Sequence, residues 1–386
     1  MERYAGQPLG AKAKILILGT PKLGNFVVLT PLLRALKRNN PTCELWYRGS
    51  ERTADLEEAC PWIDHRLDSD ERLDSQTNWK EDTNWPAGID LLINADAHNP
   101  ASAELASRIG PRYVVGHALG VEIGEHPLQQ LALDPGWGQP DLLKRFSGWI
   151  KSGSIRELHC RVCWLAADDA ERVELPSRQP QIPIPAVLIA VNGEREAKLW
   201  PLDHWLELLG LIEHRLGFHP SNVGLVGAAP PAAPQGSGRP GESTGDNKGN
   251  SKGLVIEAAL VKAGVQDLRG NLSLTELVGA FRGCELAICV DSGPLHMAAA
   301  AGCPTVAIFG TDAAGLGASP QRLWAPRQTS VTLATSSVSC SLCQDESFLN
   351  PGCLLPEHGC LLGVSPTTVV DSAATQKTRQ PEHQPT

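Results

Sequence analysis

Asp291, Ser292 and Gly293 follow a run of apolar residues, and His296 lies one helical turn further along the chain. The preceding segment ELAICV is typical of a buried strand, and LHMAAAA is typical of a tightly packed helix. The pattern places these residues in a strand-to-helix turn at the C-terminal edge of a sheet, where open α/β sheets bind ligands. Backbone N–H groups at a helix start attract anions, so the turn is suited to a diphosphate. The alternative is a plain helix cap with a satisfied polar His296.

Lys198 is the cation that we expect to complete this site. It follows the predicted strand and glycine turn AVLIAVNG and comes just before Trp200 and Pro201, where an amphipathic helix begins. A lysine at that position can reach phosphate oxygens at the same sheet edge. The alternative for any single lysine is a solvated surface position.

A second group of polar residues follows two predicted strands in the first half of the chain. The segment LGTPKLGNFVVLTPLLRAL runs from the end of the strand AKILILG through a glycine loop into a helix, and Asn25 follows Gly24 in that loop. No lysine or serine comes directly behind them to hold a phosphate. Asp96 and His98 lie at the end of the strand IDLLINA. All three are candidates for contact with a reacting group.

Strand and helix signals alternate along the 386 residues, which favours an α/β fold with largely parallel sheets in two domains. The proline-rich segment LPSRQPQIPIP predicts a linker, which separates an N-terminal domain of residues 13–180 from a C-terminal domain of residues 181–372. Residues 228–252 are rich in Pro, Gly, Ala and Ser, and this composition predicts a disordered insert. Residues 373–386 have the same character and are expected to form a disordered tail.

Charge and hydropathy exclude several classes of protein. The net charge of -9 disfavours unspecific binding to nucleic acid. No stretch approaches the ~20 apolar residues that span a bilayer, and the N-terminal segment lacks the apolar core of a signal peptide. We therefore expect a cytoplasmic protein, with peripheral contact to the cytoplasmic face of the inner membrane as an alternative.

The chain has 11 cysteines, an odd number that favours a reducing compartment over a disulfide framework. The cluster HCRVC, residues 159–163, is interpreted as part of an apolar strand. Near the C-terminus, four thiolates with the spacing C-x2-C-x9-C-x6-C suit a tetrahedral structural zinc site, against reduced or disulfide-linked cysteines as alternatives. The four candidate ligands are Cys340, Cys343, Cys353 and Cys360, with His358 as an alternative ligand.

Three segments together resemble glycosyltransferase family 9, the heptosyltransferases that build the lipopolysaccharide core. KILILGTPKLGNFVVLTPLLRALKR resembles the family's strand, L-G-D loop and T-P-L-L-R-A-L helix. KLWPLDHW resembles the K-x-W-P-x-x-x-W block, and ICVDSGPLHMAAAAGCPTVAIFG resembles the D-S-G-x-x-H-x-A-A-A-x-G-x-P block. The last block is the most specific of the three. The similarity covers roughly residues 13–372.

The resemblance implies a GT-B fold, two Rossmann-like domains facing across a cleft. The C-terminal domain would bind a nucleotide-sugar through Lys198, Asp291, Ser292, Gly293 and His296, and the N-terminal domain would bind the acceptor. This division explains why the first glycine loop lacks phosphate ligands. In the family's inverting mechanism an acceptor hydroxyl displaces a nucleoside diphosphate. The helix start and Lys198 can stabilise that leaving group without a required cofactor.

Asn25 departs from the family pattern. The family has an aspartate after L-G, which is thought to act as the general base, and this chain has an asparagine at the matching position. An amide cannot accept a proton at neutral pH, so Asn25 would orient the acceptor while another group takes the proton. Asp96 and His98 are the nearest candidates by topology, and an anionic group of the acceptor is a further one. Glu257 is a candidate for a ribose contact, with a solvated helix position as its alternative.

The resemblance therefore predicts transfer of a heptose-like sugar, with ADP-heptose as the favoured donor, to a lipid-linked glycan such as lipopolysaccharide core. Two rivals stay open. One is a nucleotide-sugar epimerase on the same architecture, which would need more acid and base groups around the sugar. The other is a non-catalytic, nucleotide-sugar-binding or scaffolding relative, which is consistent with Asn25.

Overall fold

The computed structural model describes residues 1–68, 85–96, 99–193, 196–230, 251–310, 320–336, 338 and 359–379. The chain divides into two compact units, Met1–Pro176 and Ser177–Thr386. The division falls close to the expected linker at Pro180. Among the described residues, no helix has both the length and the hydropathy to cross a bilayer.

The first unit is built on a parallel sheet whose apolar strands are buried on both faces. The predicted strands in AKILILG and IDLLINA are confirmed as β2 and β5. The strands described in this unit are β1 (Glu2–Arg3), β2 (Lys14–Leu18), β3 (Glu44–Arg48), β4 (His65–Leu67), β5 (Leu91–Asn94) and β6 (Tyr113–Val115). Their order in the sheet is β1-β6-β5-β2-β3-β4. The register pairs Leu18 with both Arg48 and Asn94, so the loops after β2, β3 and β5 share one edge.

Helices cover this sheet, and the longest of them follows the glycine loop directly. The helices described in the first unit are α1 (Leu23–Asn39), α2 (Ala54–Glu58), α3 (Pro100–Ile109), α4 (Pro127–Leu133), α5 (Leu142–Arg145) and α6 (Ile155–Val162). Phe26 of α1 packs edge-on against Tyr47 of β3, with ring centroids 5.5 Å apart. A Cβ atom at Gly19 would overlap the Tyr47 hydroxyl. Gly19 is therefore required by packing beneath α1.

The second unit repeats the parallel arrangement around a different central strand. Its described strands are β7 (Val187–Ala190), β8 (Val223–Leu225), β9 (Gln266–Asp267), β10 (Leu286–Val290), β11 (Thr305–Ile308) and β12 (Val331–Ala334). The order is β12-β11-β10-β7-β8-β9. Because Cys289 pairs with Ala190, the segments that leave β7 and β10 emerge side by side. This adjacency brings distant parts of the sequence to one edge.

The helices described in the second unit are α7 (Leu202–Leu216), α8 (Ser251–Lys262), α9 (Leu274–Gly283), α10 (Gly293–Ala301), α11 (Gln321–Trp324), α12 (Gly359–Leu362) and α13 (Pro366–Arg379). The ends of α10 are sharply defined. Its N-cap is Ser292, and Gly302 ends it in a left-handed conformation with φ of +76°. The glycine is favoured there because it carries no Cβ atom.

The expected disordered tail of residues 373–386 is wrong for residues 373–379, which continue α13. The physical reason is an apolar face: Val369, Val370 and Ala373 are fully buried, and α13 packs against α7 and β12. Gln376 is also buried and donates to Thr332 Oγ1 at 2.7 Å. Residues 380–386 lie outside the described part of the chain.

The expected disordered insert of residues 228–252 needs a correction at its end, because α8 begins at Ser251. Residues 231–250 lie outside the described part of the chain. The helix can begin there because its buried residues Ile256 and Leu260 have helical spacing and reach the core of the second unit.

The cluster HCRVC does not form the expected strand; its first four residues end α6 and Cys163 is the C-cap. Ser154 begins this helix by accepting a hydrogen bond from the Glu157 N–H, and the buried positions follow helical rather than alternating spacing. His159 faces Trp137 with ring centroids 5.5 Å apart. Burial lowers the pKa of His159 to about 4.

The lowered pKa of His159 predicts a loss of stability in weak acid. The folded state holds the ring neutral while the unfolded chain binds a proton near pH 6.5, so the free energy of unfolding should fall as the pH drops from about 6.5 toward 4. We expect His159→Gln to show a smaller loss between pH 7 and pH 5 than the unsubstituted protein in urea titrations. His214→Gln, at an exposed position, is the control and should behave like the unsubstituted protein. Equal losses in both variants would contradict the assignment.

Candidate functional site

The turn between β10 and α10 leaves the start of the helix without a side-chain cap. Ser292 is the N-cap, but its hydroxyl donates to the Val290 carbonyl at 3.0 Å and makes no capping hydrogen bond. The first turn of α10 also carries no acidic residue. The alternative of a plain helix cap by Asp291 or Ser292 is therefore wrong for the Ser292 side chain. The N–H groups at the start of a helix and the positive end of its dipole are suited to an anion.

Lys198, Asp291 and His296 converge at this helix start. Lys198 Nζ lies 2.6 Å from Asp291 Oδ2, and His296 Nε2 lies 3.8 Å from Asp291 Oδ1. The side chains are 18%, 6% and 4% exposed, respectively, so Lys198 is not the solvated surface lysine of the alternative interpretation. The structure thus brings together residues separated by 93 positions in the sequence.

The elements that position these residues are the neighbouring strands β7 and β10. Asp291 directly follows β10, whereas Lys198 ends a short 3-10 turn between β7 and α7. His296 stands on α10 and faces Trp324 of α11, with ring centroids 6.5 Å apart. Each of the three side chains is therefore fixed by a different segment of the second unit.

Gly193 contributes to the site, although the sequence motifs do not predict a role for it. A Cβ atom at this position would lie 3.1 Å from Lys198 Cβ and 3.4 Å from the Asp291 carbonyl oxygen. The glycine therefore allows the loop after β7 to approach the loop after β10 closely. The Asn-Gly pair after the predicted strand was the available signal.

The positive charge of Lys198 is balanced by Asp291 while no anion is bound. In a buried pair of this kind each charge offsets the desolvation cost of the other. An incoming diphosphate would place negative charge beside the N–H groups of α10 and would also pair with Lys198. The geometry can therefore bind an anion and stabilise a leaving phosphate.

Glu257 lies in a buried network rather than on the solvated helix face that was the alternative for it. It is 4% exposed, and Arg269 Nη1 donates to Glu257 Oε2 at 2.7 Å. Arg269 Nη2 also donates to Asp267 Oδ2 at 2.7 Å. Burial raises the pKa of Glu257, while Arg269 and a hydrogen bond from Asn192 oppose that change. Asn192 precedes Gly193, so this network supports the loop that approaches Lys198.

In the first unit, Asn25 and Asp96 belong to segments that leave neighbouring strands at the same sheet edge. Asn25 is the third residue of α1, whose first turn has no acidic residue, and its side chain is half-buried. Asp96 Oδ2 accepts hydrogen bonds from Ser102 Oγ at 2.8 Å and Asn99 Nδ2 at 2.9 Å. His98 lies outside the described residues. The catalytic roles of all three stay predictions.

The predicted zinc site falls mostly outside the described part of the chain. Cys340, Cys343 and Cys353 lie there, and the described residues contain no group of three or more His, Cys, Asp or Glu side chains arranged to hold a metal ion. Cys360 is buried on α12, and a Cβ atom at Gly310 would lie 2.7 Å from its Sγ atom. Cys360 thus packs closely at the end of β11, and the zinc site stays a prediction.

Comparison with known families and structures supports the resemblance. Residues 249–350 match the model of glycosyltransferase family 9 (heptosyltransferase), a segment that includes Asp291, Ser292, Gly293 and His296. A search of curated proteins found no match.

Solved structures show the same fold over nearly the whole chain. E. coli ADP-heptose lps heptosyltransferase II is 17% identical, with a TM-score of 0.59 and coverage of 95% of this chain and 99% of the other. A glycosyl transferase family 9 protein from Veillonella parvula is 16% identical, with a TM-score of 0.62 and coverage of 97% and 100%. E. coli heptosyltransferase WaaC with ADP is 16% identical, with a TM-score of 0.57 and coverage of 94% and 99%. The predicted GT-B fold is confirmed, and so is the resemblance to glycosyltransferase family 9.

The buried pair predicts a stability effect that is independent of any ligand. Lys198→Met leaves the buried Asp291 carboxylate without its cation, and we expect the free energy of unfolding to fall by about 3 kcal/mol in urea titrations. Arg38→Met removes an exposed pair with Asp169, whose side chains are 55% and 59% exposed, and should cost less than ~1 kcal/mol. A loss of similar size in the two variants would show that the Lys198 pair is not a buried interaction.

Proposed function

We propose that this chain is an inverting glycosyltransferase. It moves a heptose-like sugar from a nucleoside diphosphate, with ADP-heptose as the favoured donor, to a lipid-linked glycan such as lipopolysaccharide core. The observation that carries the proposal is the convergence of Lys198, Asp291 and His296 on the uncapped start of α10. Those residues other than Lys198 lie in the segment that matches the family model. The WaaC structure named above contains ADP, which is consistent with an ADP-linked donor.

The diphosphate of the donor binds at the start of α10 in this proposal. The N–H groups that follow Ser292 donate to phosphate oxygens, and Gly293 allows the phosphate close to the backbone. The ammonium group of Lys198 then interacts with the leaving phosphate as well as with Asp291. When the acceptor oxygen attacks the anomeric carbon, the bond to the diphosphate breaks and its electrons leave with the phosphate oxygen. Lys198 and the helix dipole stabilise that developing charge, so transfer requires no further cofactor in this scheme.

The proton of the acceptor hydroxyl needs a base other than Asn25. Asp96 has the required carboxylate and lies at the same edge of the first unit's sheet as Asn25. Hydrogen bonds from Ser102 and Asn99 orient its Oδ2 atom. His98 is the second candidate. We assign Asn25 to orienting the acceptor, because an amide both donates and accepts hydrogen bonds but does not take up a proton at neutral pH.

The non-catalytic alternative is supported by the same residue, Asn25. A relative that binds the nucleotide-sugar without transferring it would keep the α10 site and dispense with a base in the first unit. Nucleotide binding alone does not separate these two functions, whereas turnover does.

The acceptor and location follow from the proposed reaction. A lipid-linked glycan is presented at a membrane surface, so we place the chain in the cytoplasm with peripheral contact to the cytoplasmic face of the inner membrane.

We keep the C-terminal cysteines as a proposed structural zinc site, distinct from the reaction. Zinc content of the purified protein, compared with that of Cys340→Ser, tests this part.

Thermal unfolding with nucleotides tests the donor site. A ligand at ~100 times its Kd stabilises the folded state by about 2.7 kcal/mol, which raises the Tm by about 5–10 °C for a unit of this size. We expect ADP or ADP-heptose to produce this shift, and UDP or GDP to produce less. Lys198→Ala and Asp291→Ala should each lose the shift relative to their own ligand-free Tm, whereas Arg38→Met should keep it. Absence of a shift with every nucleotide would contradict the donor site.

Turnover tests the base. Release of ADP from ADP-heptose in the presence of a lipopolysaccharide-core acceptor should fall by about 100-fold or more in Asp96→Asn. Ser102→Ala removes one hydrogen bond to the carboxylate without removing the base, so its loss should be much smaller. An unchanged rate in Asp96→Asn would exclude Asp96 as the base. No turnover in the unsubstituted protein, together with a normal thermal shift, would favour the non-catalytic alternative.

A further inference from the structure

A pocket of about 370 Å³ lies in the first unit, and its lining includes none of the residues assigned to the proposed reaction. It is bounded by α4, by the loop that joins α5 to α6, and by the segment after α6. Its polar and aromatic lining consists of Trp149, Lys151, Arg161 and Trp164. Two indoles and two cations around one cavity form a combination that core packing does not require.

Trp164 occupies a backbone conformation that usually belongs to glycine. Its φ is +61°, and it follows the end of α6 in the left-handed position. The Trp164 N–H donates to the Arg161 carbonyl at 2.9 Å, and the Leu165 N–H donates to the Cys160 carbonyl at 3.0 Å. These bonds belong to a helix C-terminal motif in which a side chain costs about 1 kcal/mol relative to glycine. A strained residue of this size at a cavity wall points to function.

The two indoles are held in place before any ligand arrives. His126 packs against Trp149 with ring centroids 4.5 Å apart and against Trp164 at 4.1 Å. His126 is itself fixed as the N-cap of α4, where its Nδ1 accepts from the Leu128 N–H at 3.2 Å. On another side, a Cβ atom at Gly6 would lie 3.0 Å from Trp164 Cε3, so this backbone packs directly on the indole.

The polar groups of the pocket retain binding capacity. Trp149 is 38% exposed, and the buried Trp164 Nε1 has no hydrogen-bond partner among the described residues. Lys151 Nζ lies 3.7 Å from Asp168 Oδ1, but both side chains are more than three-quarters exposed, so the pair is weak. Arg161 Nε lies 3.8 Å from Glu157 Oε1, beyond hydrogen-bond distance.

Glu157 is the carboxylate nearest to Arg161, and its oxygens also accept hydrogen bonds from the loop before α6. Its carboxylate accepts from the N–H groups of Lys151, Ser152 and Gly153 and from the Ser152 hydroxyl, at 2.6–2.9 Å. Burial alone would raise the pKa of Glu157, but these hydrogen bonds hold it below its ordinary value. The loop that carries Trp149 and Lys151 is therefore rigidly attached to α6.

We propose that this pocket binds an anionic sugar. The sugar ring packs on the exposed part of Trp149, and a carboxylate or phosphate pairs with Lys151 and Arg161. An aromatic wall with a few placed polar groups is the usual composition of such a site. The pocket lining contains none of the residues assigned to the donor, the acceptor or the base, so this site can be tested without a nucleotide.

Calorimetric titration of the full chain with three probes tests the site. Glucuronic acid and glucose 6-phosphate carry the two anionic groups, and methyl glucoside carries none. We expect at least one anionic probe to bind about 10-fold or more tightly than methyl glucoside, since hydrogen bonds to charged groups are the stronger ones. The stronger of the two identifies a sugar acid or a sugar phosphate. Equal affinity for all three, or no binding of any, would overturn the proposal.

Two variants with matched controls locate the binding. Trp149→Ala should weaken the better probe by about 10-fold or more, and Trp149→Phe should keep most of the affinity because it keeps an aromatic face. Lys151→Gln should weaken that probe, whereas Lys144→Gln, an exposed lysine on α5 outside the pocket, should not. Each variant's Tm checks that it is folded. Unchanged affinity in folded Trp149→Ala would overturn the assignment.

Discussion

The ion pair between Lys198 and Asp291 is the interaction on which the proposed donor site depends. The Lys198 side chain is only 18% exposed, and without Asp291 the cost of removing its charge from water would not be offset. Without the adjacent exits of β7 and β10, the two residues could not meet. Gly193 lets the loops approach, and the Glu257 network supports the loop from the other side. The pairing of β7 with β10 in the parallel sheet thus brings residues that are distant in the sequence into one charged site.

Much of this arrangement could be predicted from sequence because it depends on local patterns. An apolar strand followed by Asp291, Ser292 and Gly293 and then by a small-residue helix leaves few alternatives for the turn. The glycine loop after β2 is shorter than the sequence predicts, because α1 begins at Leu23 and includes Gly24 and Asn25. Gly19 lies against the Tyr47 hydroxyl, so at this position glycine serves the fold and needs no phosphate to explain it.

The features that could not be predicted depend on contacts across the fold. From the sequence, Glu257 is expected on a solvated helix face. Its burial is made favourable by Arg269, which lies beyond the next strand, and by Asn192. The segment after residue 372 has few large side chains, yet residues 373–379 continue α13, and Ala373 and Gln376 are buried on the same helix as Val369 and Val370. The segment HCRVC at the end of α6 is predicted as a strand from its local pattern. Its helical packing depends on contacts with α1 and α4, which the local pattern does not contain.

Helix α13 has a consequence for the order in which the chain folds during synthesis. It covers β11, β12 and α7, and the buried Trp200 donates through Nε1 to the Val364 carbonyl at 2.9 Å just before this helix begins. The second unit therefore lacks part of its core until the last helix has left the ribosome. The first unit contains its own sheet and helices and has no such dependence. Synthesis proceeds from the N-terminus, so the first unit is free to fold first, while the unit that carries Lys198 and Asp291 is completed later.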